Sequence, residues 1–596
     1  MAGLMDRTGV ARSLEQIASY LELKGENPFR VRAFTAAAKT ILGIPGELET
    51  ARADGTLAQA KGIGPAIFQV VTELTATGRS ELLEQLREDV PPGLVEMLSI
   101  PGLGVAKIRL IHDVLGVDTI PDLEAAAHDG RLAELPRFGT RTAEKILQGI
   151  AFLRQASEWR LSHHALDEAS ALRDGLARLP HILAVHIAGD VRRRTEVAKD
   201  LVMVLVADVP PGEVFRQLAT MPGAREIAGH DERRATLQLA GGSSVQVVVT
   251  PPQNLGAVLV QATGSEAHLA ALAQYATRAG FNLAGAALWK GSQFIPTPTE
   301  ESLYEAIGLP WIPPELRERG DEVGSPVPIL LDRADLRGFL HCHTNYSDGS
   351  HTVAVLAAAC RDAGYDYVGI TDHSRAAAYA GGLTPDDLRR QWDEIDSVNA
   401  SHPGIAILKG IESDILIDGA LDYPDEILAG FDFIIASVHT RFTLTEREMT
   451  DRVCRAMSSP YMTILGHPTG RLLLARDAYA IDLDRVFATA ADNGVAIEIN
   501  ADPHRLDLDW RVLRRARDAG VVISIGADAH NVAGLEYVEY GVAIARKGGL
   551  GPHDILNCRR VGEFLAFAAA RRNGAEQRSE PFGREAPPMG QPVDSR

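Results

Sequence analysis

The spacing of apolar and polar residues changes character twice along the chain. Over residues 1–160 apolar positions recur at helical intervals in short runs broken by glycines, which predicts short helices separated by tight turns. From 161 to 320 strand-like runs rich in β-branched residues (HILAVHIAG, DLVMVLVAD, SVQVVVTPP) alternate with helical segments, the pattern of a small α/β or α+β domain. This region ends in a proline-rich stretch, LPWIPPELRERGDEVGSPVP, and 321–334 reads as a linker. Between 335 and 572 the runs YVGITDH, IAILKGIES, FIIASVH, MTILGHP, VAIEIN and VVISIGADAH alternate with helix-length segments, which predicts a parallel barrel or sheet. Residues 573–596, rich in Pro, Gly and charge, read as a disordered tail.

Two glycine turns in the helical part share one design: KGIGPAIFQVVTEL (Lys61 to Leu74) and IPGLGVAKIRLIHDVL (Ile100 to Leu115). LPRFGTRTAEKILQGI (Leu135 to Ile150) is a weaker copy with Arg137 in place of the first glycine. Apolar-Gly-apolar-Gly before a helix is the helix-hairpin-helix pattern, which brings backbone N–H groups and a helix N-terminus close to a phosphate. One such turn is also what a helix C-cap looks like. Repetition favours sequence-independent contact with a DNA backbone, through Gly62, Gly64, Gly102 and Gly104 with Lys39 and Lys107; an all-helical packing module is the alternative.

A chain of 596 residues is too long for one core and predicts three or four domains. Its 45% hydrophobic and 23% charged residues are ordinary for a globular protein. The apolar runs are strand-length, short of the ~20 residues of a membrane span, and the amino terminus lacks a signal-peptide pattern. Cys342, Cys360, Cys454 and Cys558 have no paired spacing, which fits a reducing cytoplasm. The net charge of −19 argues against coating of nucleic acid by the whole molecule, but leaves room for local contacts by amides and a few arginines.

The sharpest chemical signal lies in the last region. HCHTNYSDG holds His341, His343 and Asp348; ITDHS holds His373; KGIES holds Glu412; SVHTR holds His439; LGHPTGR holds His467; GADAH holds Asp528 and His530. Most follow an apolar run, where a parallel strand ends and barrel enzymes gather their working groups. Six of the 18 histidines fall in these motifs. Imidazole and carboxylate together suit zinc, manganese or iron better than calcium or magnesium alone.

These motifs resemble the PHP (polymerase and histidinol phosphatase) domain, a distorted (β/α)7 barrel with a trinuclear metal site. The resemblance implies that His341, His343, Glu412 and Asp528 hold one ion. Glu412 would bridge to a second held with His439 and His467, and Asp348, His373 and His530 would hold a third. Mn²⁺ or Zn²⁺, up to three ions, is implied, with Mg²⁺ possible. Arg441, Arg471 and Arg505 are candidates for contacting substrate phosphate. The family often has Asp before the first motif, where this chain has Phe339; that position is not a ligand.

The order of the regions resembles the bacterial family X DNA polymerases (PolX) along almost the whole chain. LELKGENPFRVRAFTAAAKTI looks like the start of their DNA-gripping amino-terminal domain, and ATGSEAHLAALAQYATRAG and GLPWIPPELRE like their palm and thumb. The fold implied is multidomain. It has an all-α helix-hairpin-helix region (1–85, with a fingers-like second part at 86–160), an α/β nucleotidyltransferase-like palm and thumb (161–320) and the PHP barrel (335–572).

In that family the palm motif runs Gly-Ser, an Arg pair, Asp-x-Asp, then a third Asp on a later strand. Here Gly189, Arg192 and Arg193 match, Asp190 stands at the serine, and the three aspartate positions are Asp200, Val202 and Gln246. Two Mg²⁺ ions need anionic ligands, and neither valine nor glutamine is one. A carboxylate at 190 would also repel a triphosphate, by on the order of 1 kcal/mol at ~4 Å even in water. The palm is therefore expected not to polymerise, and dNTP binding is put in doubt. The hairpin helix after Lys61 has no lysine for the Schiff-base chemistry by which some relatives remove abasic sugars. The expected protein is a monomeric, cytoplasmic 3′–5′ exonuclease or phosphoesterase on gapped, nicked or 3′-ended DNA. The alternatives are an active gap-filling polymerase and a non-catalytic repair scaffold.

Overall fold

Glycines set the helix boundaries in the first part of the chain. In a computed structural model the described residues are 7–579, apart from 45–47, 61, 101–102, 137, 222, 241–242, 285 and 402–403. The helices Pro65–Thr77 and Val105–Leu115 start at Gly64 and Gly104, whose extended backbones cap them without a side chain. A Cβ at either position would meet nothing within 4 Å, so both turns can be approached closely from outside. Gly102 lies outside the described residues, and so does the side chain of Lys39; Lys107 is half-buried on its helix. Leu14, Ile17, Ile41, Val71, Ile111 and Ile146, from both sides of the expected 85/86 division, belong to one buried cluster.

The next region is a five-stranded sheet: β1 (Ile182–Ala188), β2 (Leu201–Ala207), β3 (Ala224–His230), β4 (Arg234–Leu239) and β5 (Ser244–Thr250). Its order is β1-β2-β5-β4-β3, and only the β2–β5 pair is parallel. A three-stranded antiparallel sheet (Asn282–Ala284, Ala287–Lys290, Gln293–Ile295) follows. Glu300 joins the two parts. Its buried carboxylate receives paired guanidinium bonds of 2.7 and 2.9 Å from both Arg192 and Arg317, and a 3.1 Å bond from Trp311 Nε1.

The stretch 321–334, expected to be a linker, is fastened down instead. Val323 and Val327 pack against the thumb core, and Leu331, fully buried in the barrel core, donates its N–H to Leu550 at 2.9 Å.

The barrel strands are β6 (Gly338–Cys342), β7 (Tyr367–Ile370), β8 (Ala406–Lys409), β9 (Glu412–Asp414), β10 (Ile435–Ser437), β11 (Ile464–Leu465), β12 (Ala496–Asn500) and β13 (Ile523–Ala529). All pair in parallel, in the order β8-β7-β6-β13-β12-β11-β10-β9. Only Gly410 and Ile411 separate β8 from β9, and a parallel bridge joins His373, past the end of β7, to Glu412 in β9. The two edges of the sheet are thus halves of one kinked strand, and the sheet closes with seven strand positions. Phe339 points into the outer core, its ring 5.3 Å from that of Tyr365. The last helix, Val561–Ser579, extends into the stretch expected to be disordered from 573; residues 580–596 lie outside the described residues.

The palm and barrel are clamped together by buried charge. Lys547 Nζ bonds to Glu318 and, at 3.0 Å, to the Arg193 carbonyl, and it lies 4.6 Å from the Trp510 ring centroid. Trp510 Nε1 donates to Glu196 at 3.0 Å, and Arg546 pairs with Glu315 at 2.8 Å.

Burial alone would raise the Glu300 carboxyl, but the bonds from Arg317 and Arg192 hold it down to about 2. Its stabilising effect is therefore complete above about 4.5 and is lost as pH falls towards about 2. Glu300→Gln is expected to cost about 3 kcal/mol and to flatten the acid-unfolding profile over that interval, both read from thermal melts as a function of pH.

Candidate metal centre

Each strand around one mouth of the barrel ends by delivering a polar side chain. His341 closes β6, His373 follows β7, Glu412 opens β9, His439 follows β10, His467 follows β11, and Asp528 and His530 sit at the end of β13. The backbone is bent to do this. His341 (φ 65°), His467 (φ 23°) and Asp528 (φ 52°) are in the left-handed region, which costs a non-glycine residue on the order of 1–3 kcal/mol. The β6–β13 register also slips between Leu340↔Gly526 and Cys342↔Ala529, a bulge that re-aims side chains.

Glu412 is the hub. Its oxygens lie 2.9 Å from His467 Nε2, 2.9 Å from His373 Nδ1, 3.3 Å from His439 Nε2, 3.4 Å from His341 Nε2 and 3.8 Å from His343 Nε2. Asp528 lies 3.1 Å from His343 and 3.6 Å from His341. Asp348 lies 3.3 Å from His530 and 3.7 Å from His373. All nine side chains singled out in the sequence therefore converge. Three sets have donor atoms close enough to share an ion: His341/His343/Asp528, His373/Glu412/His439 and His343/Asp348/His373/His530. The grouping differs in part from the one the resemblance implies, since His343 and His373 each stand between two sets and His467 reaches the cluster through Glu412.

The residues fit metal ions better than they fit one another. Burial disfavours charge on every group here. Neighbouring carboxylates nonetheless push His439 up to about 10 and His530 up to about 9, while burial and adjacent imidazoles take His343 down to about 4. The imidazoles in turn hold Glu412 and Asp528 well below the ordinary carboxylate range. Buried atoms aimed into the nest still lack a hydrogen bond of good geometry: His341 Nε2, His373 Nδ1, Glu412 Oε2 and Asp348 Oδ1. Each unsatisfied group costs ~1–3 kcal/mol; lone pairs converging without hydrogens between them are what a cation requires. Sulfur is excluded, because Cys342 Sγ faces away towards the Gly369 carbonyl at 3.3 Å.

A second layer, not singled out in the sequence, fixes these rings. Glu498 meets His341 Nδ1 at 2.5 Å and accepts the His467 N–H at 2.8 Å. A Cβ at Gly526 would fall 1.8 Å from that carboxylate, so only glycine fits there. Asp414 meets His439 Nδ1 at 3.0 Å, and Asn500 Nδ2 donates to Asp528 at 3.1 Å. Buried Asp372 accepts from the Thr344 N–H at 2.8 Å and from Gln391 at 2.6 Å, holding the turn after His343. A signal was present: Glu498 and Asn500 are polar positions two apart in an otherwise apolar strand, and Asp414 follows Glu412 at the same spacing.

Of the three candidate arginines, Arg505 lies against the nest, its Nε 3.6 Å from Asp528, and Arg441 is exposed beside His439. Arg471 donates to Asp509 at 2.6 Å and to the carbonyls of Arg505 and Leu506, so it shapes the loop carrying Arg505.

In the palm, Val202 pairs directly with Gln246 across β2–β5, and Gln246 Nε2 lies 3.5 Å from Asp200. The three positions expected for aspartates do converge. Gly189 opens the preceding turn, with φ 63°. Arg193 pairs with Asp190 and with Glu318 at 2.9 Å, while Arg192 is held by Glu300.

Family models match four parts of the chain: a helix-hairpin-helix domain over 5–80, a SAM-like helix-hairpin-helix tandem over 94–151, a DNA polymerase beta thumb over 258–318 and a PHP domain over 340–502. The chain is 36% identical over 569 residues to the protein named DNA polymerase/3'-5' exonuclease PolX of Bacillus subtilis, covering 94% of this chain and 99% of that one. The chain is also similar to a probable phosphatase of Caldanaerobacter subterraneus (28% over 178 residues, 29% of this chain and 65% of that one). A probable phosphatase of Acetivibrio thermocellus is 31% identical over 164 residues, 27% of this chain and 63% of that one. Among the described residues no helix is long and apolar enough to cross a membrane.

Removing the carboxylate behind His341 should loosen the nest without touching the ions' own ligands. Glu498→Ala is expected to weaken Mn²⁺ or Zn²⁺ binding by roughly 10–100-fold, measured by metal titration followed calorimetrically.

Proposed function

The chain belongs to the bacterial PolX family, with a PHP domain in its carboxy-terminal part, and on that premise we propose that it is a metal-dependent phosphoesterase that shortens DNA from its 3′ ends in repair. The observation carrying this reading is the buried convergence of six imidazoles and three carboxylates on one barrel mouth, with unsatisfied donor atoms facing one another. His341, His343, Asp348, His373, Glu412, His439, His467, Asp528 and His530 are the proposed ligands, and Mn²⁺ or Zn²⁺ the ions this donor set suits best. Ions held there supply hydroxide near neutral pH and charge against the phosphoryl oxygens.

The chain's own residues do the rest. Glu498 and Asp414 orient the rings of His341 and His439 by holding their outer nitrogens. Arg505, half-buried against Asp528, and Arg441 at the rim would receive the substrate phosphate, which otherwise faces a carboxylate-rich pocket. The turns at Gly64 and Gly104 would hold the DNA backbone through first-turn N–H groups. Contact through amides suits a chain whose net charge of −19 gives no general attraction to DNA.

The same reading takes the palm as retired from nucleotidyl transfer. Support comes from Val202 and Gln246 standing where two anionic ligands are needed, and from Arg192 and Arg193 being neutralised by Glu300, Asp190 and Glu318. The whole-length similarity to a protein named a polymerase favours a second reading, gap filling.

Two measurements separate them. On a 5′-labelled gapped duplex with Mn²⁺, the protein is expected to shorten the primer strand, and His341→Ala to do so more than about 100-fold slower while still binding DNA. Adding dNTPs with Mg²⁺ or Mn²⁺ is expected to give no lengthened product; lengthening that disappears in Asp200→Ala would establish the polymerase.

A further inference from the structure

One aromatic ring at the mouth of the nest has no packing role. Tyr379 is 71% exposed, and no other Phe, Tyr or Trp side chain among the described residues from 335 to 572 is exposed. Its ring centroid lies 6.2 Å from that of His373 and 6.4 Å from that of His439, inclined to them by 54° and 71°. It therefore stands on edge to two of the proposed ligands, beside the place a scissile phosphate would occupy, with most of its surface in water.

The position is held by its backbone. Ala378–Ala380 form one 3₁₀ turn, flanked by buried Ala377 and closed by Gly381 at φ 73°. The Ala380 and Gly382 N–H groups both bond to the Ala377 carbonyl, at 2.9 and 3.1 Å. The Arg375 N–H bonds to the Tyr423 hydroxyl at 3.2 Å, which anchors the approach to the turn. Ala377 and Ala380 pack inward and the one large side chain projects outward.

We propose that Tyr379 is a stacking platform for the terminal base of a DNA 3′ end, giving the site a preference for ends that still carry their base. An exposed aromatic face accepts any base, because every base has a π-face, and such stacking contributes to single-strand binding. The phosphate would be received by Arg505 and Arg441 while the attached base lies on the ring. This rests on the hydrolytic reading above and adds to it the part of the substrate that the ring recognises.

The test uses the full chain with Mn²⁺ and two 5′-labelled single-stranded oligonucleotides, one ending in an ordinary nucleotide and one in a sugar without a base. Wild type is expected to cleave the ordinary end with the lower KM. Tyr379→Ala should shrink that preference by about tenfold or more through KM, Tyr379→Phe should retain it, and bound metal should be equal in all three proteins. A 2-aminopurine at the 3′ terminus, bound to the protein without metal, should lose fluorescence with wild type and Tyr379→Phe but not with Tyr379→Ala.

Slowing of both ends alike by Tyr379→Ala would mean that the ring only shields the nest, and would overturn the proposal. An unaltered preference in Tyr379→Ala, with wild type cleaving, would overturn it as well. Wild type that binds Mn²⁺ but cleaves neither end sinks the hydrolytic reading and this one with it.

Discussion

Taking nine ionisable side chains out of water at one barrel mouth is the constraint on which the rest of this molecule depends. Isolated, each buried charge would be prohibitive. They are tolerable together because Glu412 lies within 4 Å of five imidazoles and because Asp528 and Asp348 meet the others. The arrangement needs parallel strands that all end at one rim, a sheet closed through the kink between β8 and β9, and three residues held in the left-handed region. Strain of that kind persists only when the surroundings leave no alternative. Glu498, Asn500 and Asp414, buried behind the rings, are those surroundings.

The palm shows the same physics with its charges put to another use. Arg193 stands where the family's pattern has its arginine pair, yet it joins Asp190 to Glu318, and Glu318 in turn receives Lys547 from the barrel. Trp510, beneath Lys547, begins the helix that follows the loop carrying Arg505 and Asp509. Groups suited to gripping a triphosphate here fasten one domain to another. The fastening ends close to the loop that presents Arg505 to the nest, so the palm supports the site it does not contain.

Much of this was legible in the sequence, for reasons that can be stated residue by residue. A histidine or carboxylate directly after an apolar run marks a strand end, and parallel strands share one end, so the nine side chains could be gathered without coordinates. The hairpin glycines and the neighbouring positions Asp200, Val202 and Gln246 could be picked out in the same way, since each belongs to a short local pattern. What Arg471 faces was not legible, because a guanidinium looks the same in sequence whether it faces solvent or, as here, bonds to the carbonyls of Arg505 and Leu506 and to Asp509. The stretch 321–334 looked like a linker from its prolines, but composition does not reveal that Leu331 fills the barrel core.

The sequence by itself determined which residue types occur at each strand end and turn, and with them the kind of chemistry available, because periodicity and donor chemistry are local properties. Only the tertiary structure decided how the nine donors divide among neighbouring sets, that Glu498 stands behind His341, that the two hairpins share a core, and that Tyr379 is left in water at the rim. Those outcomes depend on strand register, on bulges and on which domain packs against which. They are set by contacts between residues far apart in the chain, such as His341 and Glu498, whose pairing local spacing does not specify.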